Sequence, residues 1–475
     1  MSNIRKNFIY NAIYQILIII LPIITTPYIS RVIGAEGLGV YSYSYSIASC
    51  FALICVLGVT DYGSRSIAQV RDDKHKLNKT FWSIYSLQLI TSVIGIGAYL
   101  IYIVKFIKFN KLIFIIEVIY VISFSIDINW LLSGLEEFKI IVTRNIIIKI
   151  ITLLSILFFV KDTNDLYLYT LIMCLSSLFT QIISLSYLKR YIGFCKISLK
   201  DIKIHAIPNL KLFIPVMSFA IFKLVDKVML GSLSNMTQVG YYENVVKVID
   251  LPMGLITALG VVMLPKISNI IANGNKDQSI VYINNSMKFA MFMAFGICFG
   301  IASISNTFTP IFFGIEFMAC TDLLKVMSMI VILKAWENVI KTQYLIPNSY
   351  DDIYIKSNIF GAIVNVISNI YFISRFDALG AIIGSLLGQA TICIYQNIKI
   401  SNCLNLNKYI KDSIIYLVSG IIMFIVVSRI GKLLPISIIS LFVQILTGII
   451  VYILIIYILF NINKNTNKKL AEIEV

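Results

Sequence analysis

Apolar stretches long enough to cross a lipid bilayer recur from one end of this 475-residue chain to the other, and the polar gaps between them alternate between Lys/Arg-rich and Lys/Arg-poor. A transmembrane helix takes roughly 20 apolar residues, and a backbone in hydrocarbon must satisfy its hydrogen bonds within itself. Hydrophobic residues make up 58% of the chain and charged ones 13%, with a mean hydropathy of +0.87. A water-soluble core of this length does not need that much apolar surface. The expected fold is an all-α polytopic membrane protein.

Windows between charge clusters predict about fourteen spans, near 8–32, 38–60, 81–104, 112–134, 143–161, 165–187, 212–232, 240–264, 287–312, 322–346, 355–374, 378–398, 412–430 and 435–461. With a cytoplasmic N-terminus, 25 of the 40 basic residues fall on the inside, eight outside and seven within spans. That asymmetry follows the positive-inside rule and puts both termini in the cytoplasm. The net charge of +16 is thus mostly topological. Spread over many segments rather than gathered on one soluble face, it gives no reason to expect nucleic-acid binding; the basic loops should lie against anionic headgroups of membrane lipids. The first span is too long for a cleavable signal peptide, contains Pro22 and Pro27, and lacks a small-residue cleavage site. The eight cysteines sit mostly within spans without a C-x-x-C pair and read as small buried hydrophobes. His75 and His205 are far apart, so neither a metal nor another cofactor is expected.

An internal repeat is visible at an offset of about 200 residues. Leu38-Gly39-Val40-Tyr41 matches Val239-Gly240-Tyr241-Tyr242, and Leu53–Val59 matches Leu255–Val261 at five of seven positions. An offset of six spans is even, so the two halves would share one orientation, with a substrate path between lobes. The expected organisation is an N-terminal six-helix lobe over 1–200, a C-terminal six-helix lobe over 201–400, and two extra helices with a cytoplasmic tail over 401–475. Such an architecture suggests a transporter.

Several motifs follow one another in order over roughly residues 1–260. They are Pro27–Gly34 and Gly37–Ser42, then Tyr62–Ala68, Asp127-Ile128-Asn129-Trp130 with Gly134-Leu135-Glu136, Asp226–Gly231 and Val239–Tyr242. In this order and spacing the chain resembles Wzx-type polysaccharide flippases of the multidrug/oligosaccharidyl-lipid/polysaccharide exporter superfamily. The resemblance implies a MATE-like, alternating-access protein that moves undecaprenyl-pyrophosphate-linked oligosaccharides to the outer leaflet of the bacterial cytoplasmic membrane. Products would pass to O-antigen or capsule synthesis, with a polymerase and chain-length regulator as partners. Fourteen spans would be similar to the lipid II flippase branch, where the extra pair helps seat the lipid tail.

A charge at mid-bilayer costs roughly 2.5–3.5 kcal/mol on insertion scales and should face a cavity or a partner. The seven cations within spans are Lys149, Lys223, Lys227, Lys247, Lys325, Lys334 and Lys341. Lys223, Lys227, Lys247 and Lys334 are the candidates for a cationic cavity that grips the pyrophosphate, with Arg31 at the outer end of the first span as a gate or a snorkelling anchor. Asp226, Asp250 and Glu337 are either proton- or ion-coupling groups or salt-bridge partners of these lysines. Spacings of three, four and seven place Lys334, Glu337 and Lys341 on one stripe, and Glu243, Lys247 and Asp250 on another. Asp127 and Trp130 suggest an interfacial anchor, and Pro22, Pro27, Pro208, Pro215, Pro252 and Pro265 mark kinks or helix starts. Moving about two negative charges outward is favoured by roughly 2.3 kcal/mol per charge per 100 mV, so ion coupling is permitted without being required.

Three other functions fit this sequence less well. A drug exporter of the same superfamily would favour acids and aromatics over a set of lysines. A membrane-embedded polymerase or glycosyltransferase needs a long external loop and a catalytic constellation, and neither is found. A lipid II or teichoic-precursor flippase fits the motifs less well than the O-antigen and capsule group. No enzymatic activity is expected.

Overall fold

The computed structural model describes residues 2–473, with side chains from 20 to 462 other than 214–216, 218, 219 and 221–223. Among the described residues all regular structure is helical. The chain forms two compact units, Met1–Gly240 and Tyr241–Val475.

The first unit contains α1 (Ser2–Val56), α2 (Val59–Val70), α3 (Lys74–Phe106), α4 (Lys111–Ser125), α5 (Asn129–Gly134), α6 (Phe138–Phe159), α7 (Leu166–Ser186), α8 (Leu188–Tyr191) and α9 (Leu199–Leu233). From its final residues the chain runs into α10 (Met236–Ala272), followed by α11 (Lys276–Phe312), α12 (Cys320–Met327), α13 (Ile330–Ile340), a π-turn at Lys341–Leu345, α14 (Asp351–Ile400), α15 (Leu406–Leu433) and α16 (Ile438–Ile473). Most predicted windows fall on a helix or an arm of one, while 112–134 runs across α4 and α5, and 322–346 across α12, α13 and the π-turn. Ten helices among the described residues are long and apolar enough to cross a membrane. Large apolar side chains point outward along them: Val93 is 73% exposed, Val104 71% and Ile439 76%. Such surface is stable against lipid and would aggregate in water.

Two long helices contain internal breaks. In α1 the break is Gly34, with φ 75° and ψ 176°, a conformation that glycine adopts without Cβ strain. In α14 it is Asp377, at φ 49°. Neither break is at a proline. Pro22 and Pro27 lie inside α1, and Pro252 and Pro265 inside α10, because a proline removes one hydrogen bond whereas a positive φ turns the chain out of the helix.

The repeat-related glycines meet within the first unit. A Cβ on Gly39 would lie 1.6 Å from the Met236 carbonyl oxygen, and one on Gly240 2.0 Å from that of Ala35. The second arm of α1 and the start of α10 thus cross backbone to backbone, and any side chain would force them apart.

Trp130 is 2% exposed, stacks on Phe81 at 5.4 Å and 22°, and donates from Nε1 to Gln88 Oε1 at 3.0 Å. It belongs to a cluster with Val59, Ile67, Ile84 and Leu131. The expected interfacial anchor is a core residue: its indole finds a buried partner on α3, so it has no need of the headgroup layer. Outside the spans, Asp73 caps α3 by accepting from the amides of His75 and Lys76, and these bonds hold its carboxyl below the usual range. Ser198 and Asp201 form a capping box on α9, and Lys79, 2.9 Å from Asp201, holds that carboxyl low as well.

Candidate functional site

The predicted site residues divide between the units. In the first, Arg31 is exposed near the end of the first arm of α1, just before the Gly34 break. Asp226 (2% exposed) and Lys227 (8%) are buried on α9. Lys223 lies one turn earlier, and its side chain is outside the described residues. Beyond them α9 presses on the second arm of α1: a Cβ on Gly231 would lie 2.3 Å from the Tyr43 ring. Neighbours in sequence diverge by about 100° around a helix, so Asp226 and Lys227 face different surroundings.

In the second unit the predicted lysines are held by carboxylates. Lys247 pairs with Glu243 at 3.2 Å along α10. Lys334 of α13 reaches Asp250 of α10 at 3.7 Å, with side chains 30% and 43% exposed. Lys325 pairs with Asp322 at 2.8 Å, and Lys341 sits 4.8 Å from the ring of Tyr354. No ion pair to Glu337 is found among the described residues. Half-exposed pairs of this kind contribute little net stability, so an incoming anion can replace the carboxylate at small cost.

A groove of about 400 Å³ runs between α11, α15 and α16 of the same unit, lined by Phe292, Gly296, Gly300, Met423, Gly448 and Tyr452. Its apolar wall is widened by glycine; a Cβ on Gly300 would meet nothing within 4 Å. Pro252 also lines it, within one turn of Asp250 on α10. Asp250 and Pro252 thus lie at one level of that helix but about 200° apart around it, so the ion pair and the apolar groove flank α10 on different faces.

Two buried charges escaped the sequence reading. Arg144, counted above with the cytoplasmic loops, is 4% exposed. Its guanidinium donates to Asn129 Oδ1 at 3.0 Å, to Asn145 Oδ1 at 2.8 Å and to the Ser184 hydroxyl, tying α5, α6 and α7 together. Glu117, on α4, is fully buried. It is a lone acid in an apolar run, a signal that an inventory of cations passes over.

The fold defines a polytopic helical membrane protein. A family described as "Polysaccharide biosynthesis protein" matches residues 4–271, more than half of the chain, and the chain belongs to that family. Among curated relatives, a "Putative O-antigen transporter" of Escherichia coli (strain K12) is 21% identical over 400 residues, covering 83% of this chain and 95% of the relative. The "Probable low-salt glycan biosynthesis flippase Agl15" of Haloferax volcanii is 23% identical over 235 residues, covering 48% of each. Among solved structures, the lipid II flippase MurJ in an inward closed conformation superposes with a TM-score of 0.73 at 16% identity, covering 96% of this chain and 99% of that one. A multidrug resistance MATE family transporter in an inward-facing conformation gives 0.57 at 14%, covering 81% and 98%. The fold is MATE-like.

Proposed function

We propose that this chain is a flippase that carries polyprenyl-pyrophosphate-linked oligosaccharides from the cytoplasmic to the outer leaflet of the bacterial cytoplasmic membrane, for O-antigen or capsule synthesis. The family and the glycan-transporting relatives support the substrate class. The observation that carries the reading is the level shared by a half-exposed lysine pair and an apolar groove in the second unit. A lipid-linked pyrophosphate needs a cation for its phosphates and an apolar channel for its tail, and here the two flank α10 at one level, on different faces. Lys334 and Lys247 would exchange their carboxylate partners for phosphate oxygens, a charge-assisted contact shorter and stronger than the pairs they leave. In the first unit Lys223 and Lys227 on α9 and Arg31 before the Gly34 break would be further phosphate-binding cations. Asp226, Asp250 and Glu337 would balance the lysines when no cargo is bound.

The basic loops support cytoplasmic termini, and the repeat supports six-helix lobes at 1–200 and 201–400 followed by two helices over 401–475. A polymerase that consumes the flipped product would bias the direction. The test is deletion of the gene: lipid-linked repeat units accumulate on the inner leaflet and surface glycan is lost. Unchanged surface glycan in that strain overturns the reading.

A further inference from the structure

Glu117 is unlike the other acids of the spans. It is fully buried, and among the described residues no cation is hydrogen-bonded or ion-paired to it. Its partners are two hydroxyls on different helices. Ser44 Oγ of α1 lies 2.8 Å from Glu117 Oε1, and Tyr99 Oη of α3 lies 3.3 Å from Oε2.

Each hydroxyl also has a backbone acceptor. Ser44 Oγ is 3.1 Å from the Tyr41 carbonyl oxygen, and Tyr99 Oη is 3.2 Å from that of Phe114. A hydroxyl has one proton to donate and lone pairs to accept with. When Glu117 is ionised, both hydroxyls turn to the carboxylate and release the carbonyls. When Glu117 carries a proton, it donates that proton to Ser44 Oγ, Ser44 turns to Tyr41 and Tyr99 turns to Phe114. Both states keep the carboxyl hydrogen-bonded, as a buried polar group requires.

The neighbouring titratable groups are Tyr41 and Tyr45 of α1, Tyr99 of α3, Tyr120 of α4 itself and Cys174 of α7. Tyrosines and thiols are neutral at physiological pH in their ordinary state, so the charge here is set by Glu117 alone. The rings chain onward: Tyr45 and Tyr120 hydroxyls are 3.1 Å apart, and Tyr41 packs edge-on against Tyr169 of α7 at 4.9 Å. Tyr41 and Ser44 sit on the second arm of α1, the arm between the Gly34 break and Leu57, itself at φ 48°. A change in how that arm is tied to α3 and α4 therefore acts on a segment bounded by two positive-φ residues, Gly34 and Leu57.

We propose that Glu117 is a reversible proton-binding site, and that its occupancy switches the attachment of this arm and so couples translocation to a proton gradient. The coupling rests on the flippase reading; the proton site does not. Infrared difference spectroscopy of the full-length protein in lipid nanodiscs, through a pH titration, tests the site first. A protonated-carboxyl band should grow as the pH falls and be missing from Glu117→Gln. Ser44→Ala combined with Tyr99→Phe removes two donors to the ionised form and should raise the midpoint, binding the proton at least about tenfold more tightly. This second variant keeps the test alive if Glu117→Gln does not fold. An unchanged difference spectrum in Glu117→Gln, or an unmoved midpoint in the double variant, overturns the site. In proteoliposomes Glu117→Gln should still translocate lipid-linked oligosaccharide but lose its response to an imposed pH gradient; a response equal to that of the wild type overturns the coupling. If the wild-type protein moves no such lipid, the flippase reading and the coupling fall together, while the infrared result still decides the site.

Discussion

The two units treat charge in opposite ways. In its interior the first holds charge mainly by neutral hydrogen-bonding groups: Arg144 donates to asparagine and serine, with the Asp127 carboxyl close enough to interact with it, and Glu117 accepts from hydroxyls. The second leaves its lysines half-exposed and pairs them with carboxylates at 3.2 to 3.7 Å. A buried charge cannot lose a partner cheaply, because the desolvation cost then stands uncompensated. A half-exposed pair can open, because water or a ligand replaces the partner. The first arrangement suits fixing helices and registering one proton, and the second suits binding and releasing an anion.

Substitutions can break or sharpen that contrast. The largest effect is expected from Trp130→Ala in the core of the first unit. It removes the stack on Phe81 and strands Gln88, and should lower unfolding stability by about 3–5 kcal/mol, measured by denaturant unfolding in detergent. A loss below about 1 kcal/mol would mean that this core is looser than its packing indicates. Next comes Lys334→Ala in the second unit, which should cut translocation at least about tenfold, about 1.4 kcal/mol of cargo interaction, while the melting temperature barely moves. A collapse in stability instead would make the pair a structural lock. Gly300→Phe fills the groove and should slow transport of long-chain lipid carriers more than short-chain ones; equal slowing would remove the groove from the lipid path.

The smallest effect lies at the contact between α2 and α9 in the first unit. The Tyr62 hydroxyl is 2.7 Å from His205 Nδ1, and burial lowers the pKa of this histidine despite the opposing influence of Asp201. A lowered folded pKa means that the contribution is complete above the ordinary value near 6.5 and is lost as the pH falls through the lowered one. Amide protection factors at the α2–α9 contact should therefore fall as the pH drops below the ordinary histidine value, and His205→Gln, which takes up no proton there, should flatten that dependence.

Much of the fold was legible because a membrane span is a local property: the apolar run is its own signal, and most windows found a helix or an arm. The Gly39 match was legible for the same reason, as a short string repeated at Gly240. What the sequence hid depends on partners far along the chain. Arg144 reads as a loop cation beside Lys139 until Ser184 and Asn129 close around it. The Asp127–Trp130 motif is conspicuous, but only Phe81 and Gln88 on α3 reveal that it is core. At the site, spacing indicated that Glu243 and Lys247 share a stripe, whereas the Lys334–Asp250 pair joins two helices and needed the fold. Pro22, Pro27, Pro252 and Pro265, read as kinks or helix starts, lie inside α1 and α10, whereas the backbone breaks of α1 and α14 fall at Gly34 and Asp377.

The most direct test of the account is a translocation assay with purified protein in proteoliposomes, following a fluorescent polyprenyl-pyrophosphate oligosaccharide between leaflets. Wild-type protein should move it, Lys334→Ala should do so at least about tenfold more slowly, and Lys334→Arg, which keeps the charge, should recover most of the rate. Equal rates for wild type and Lys334→Ala would contradict the claim that the open ion pairs of the second unit hold the cargo.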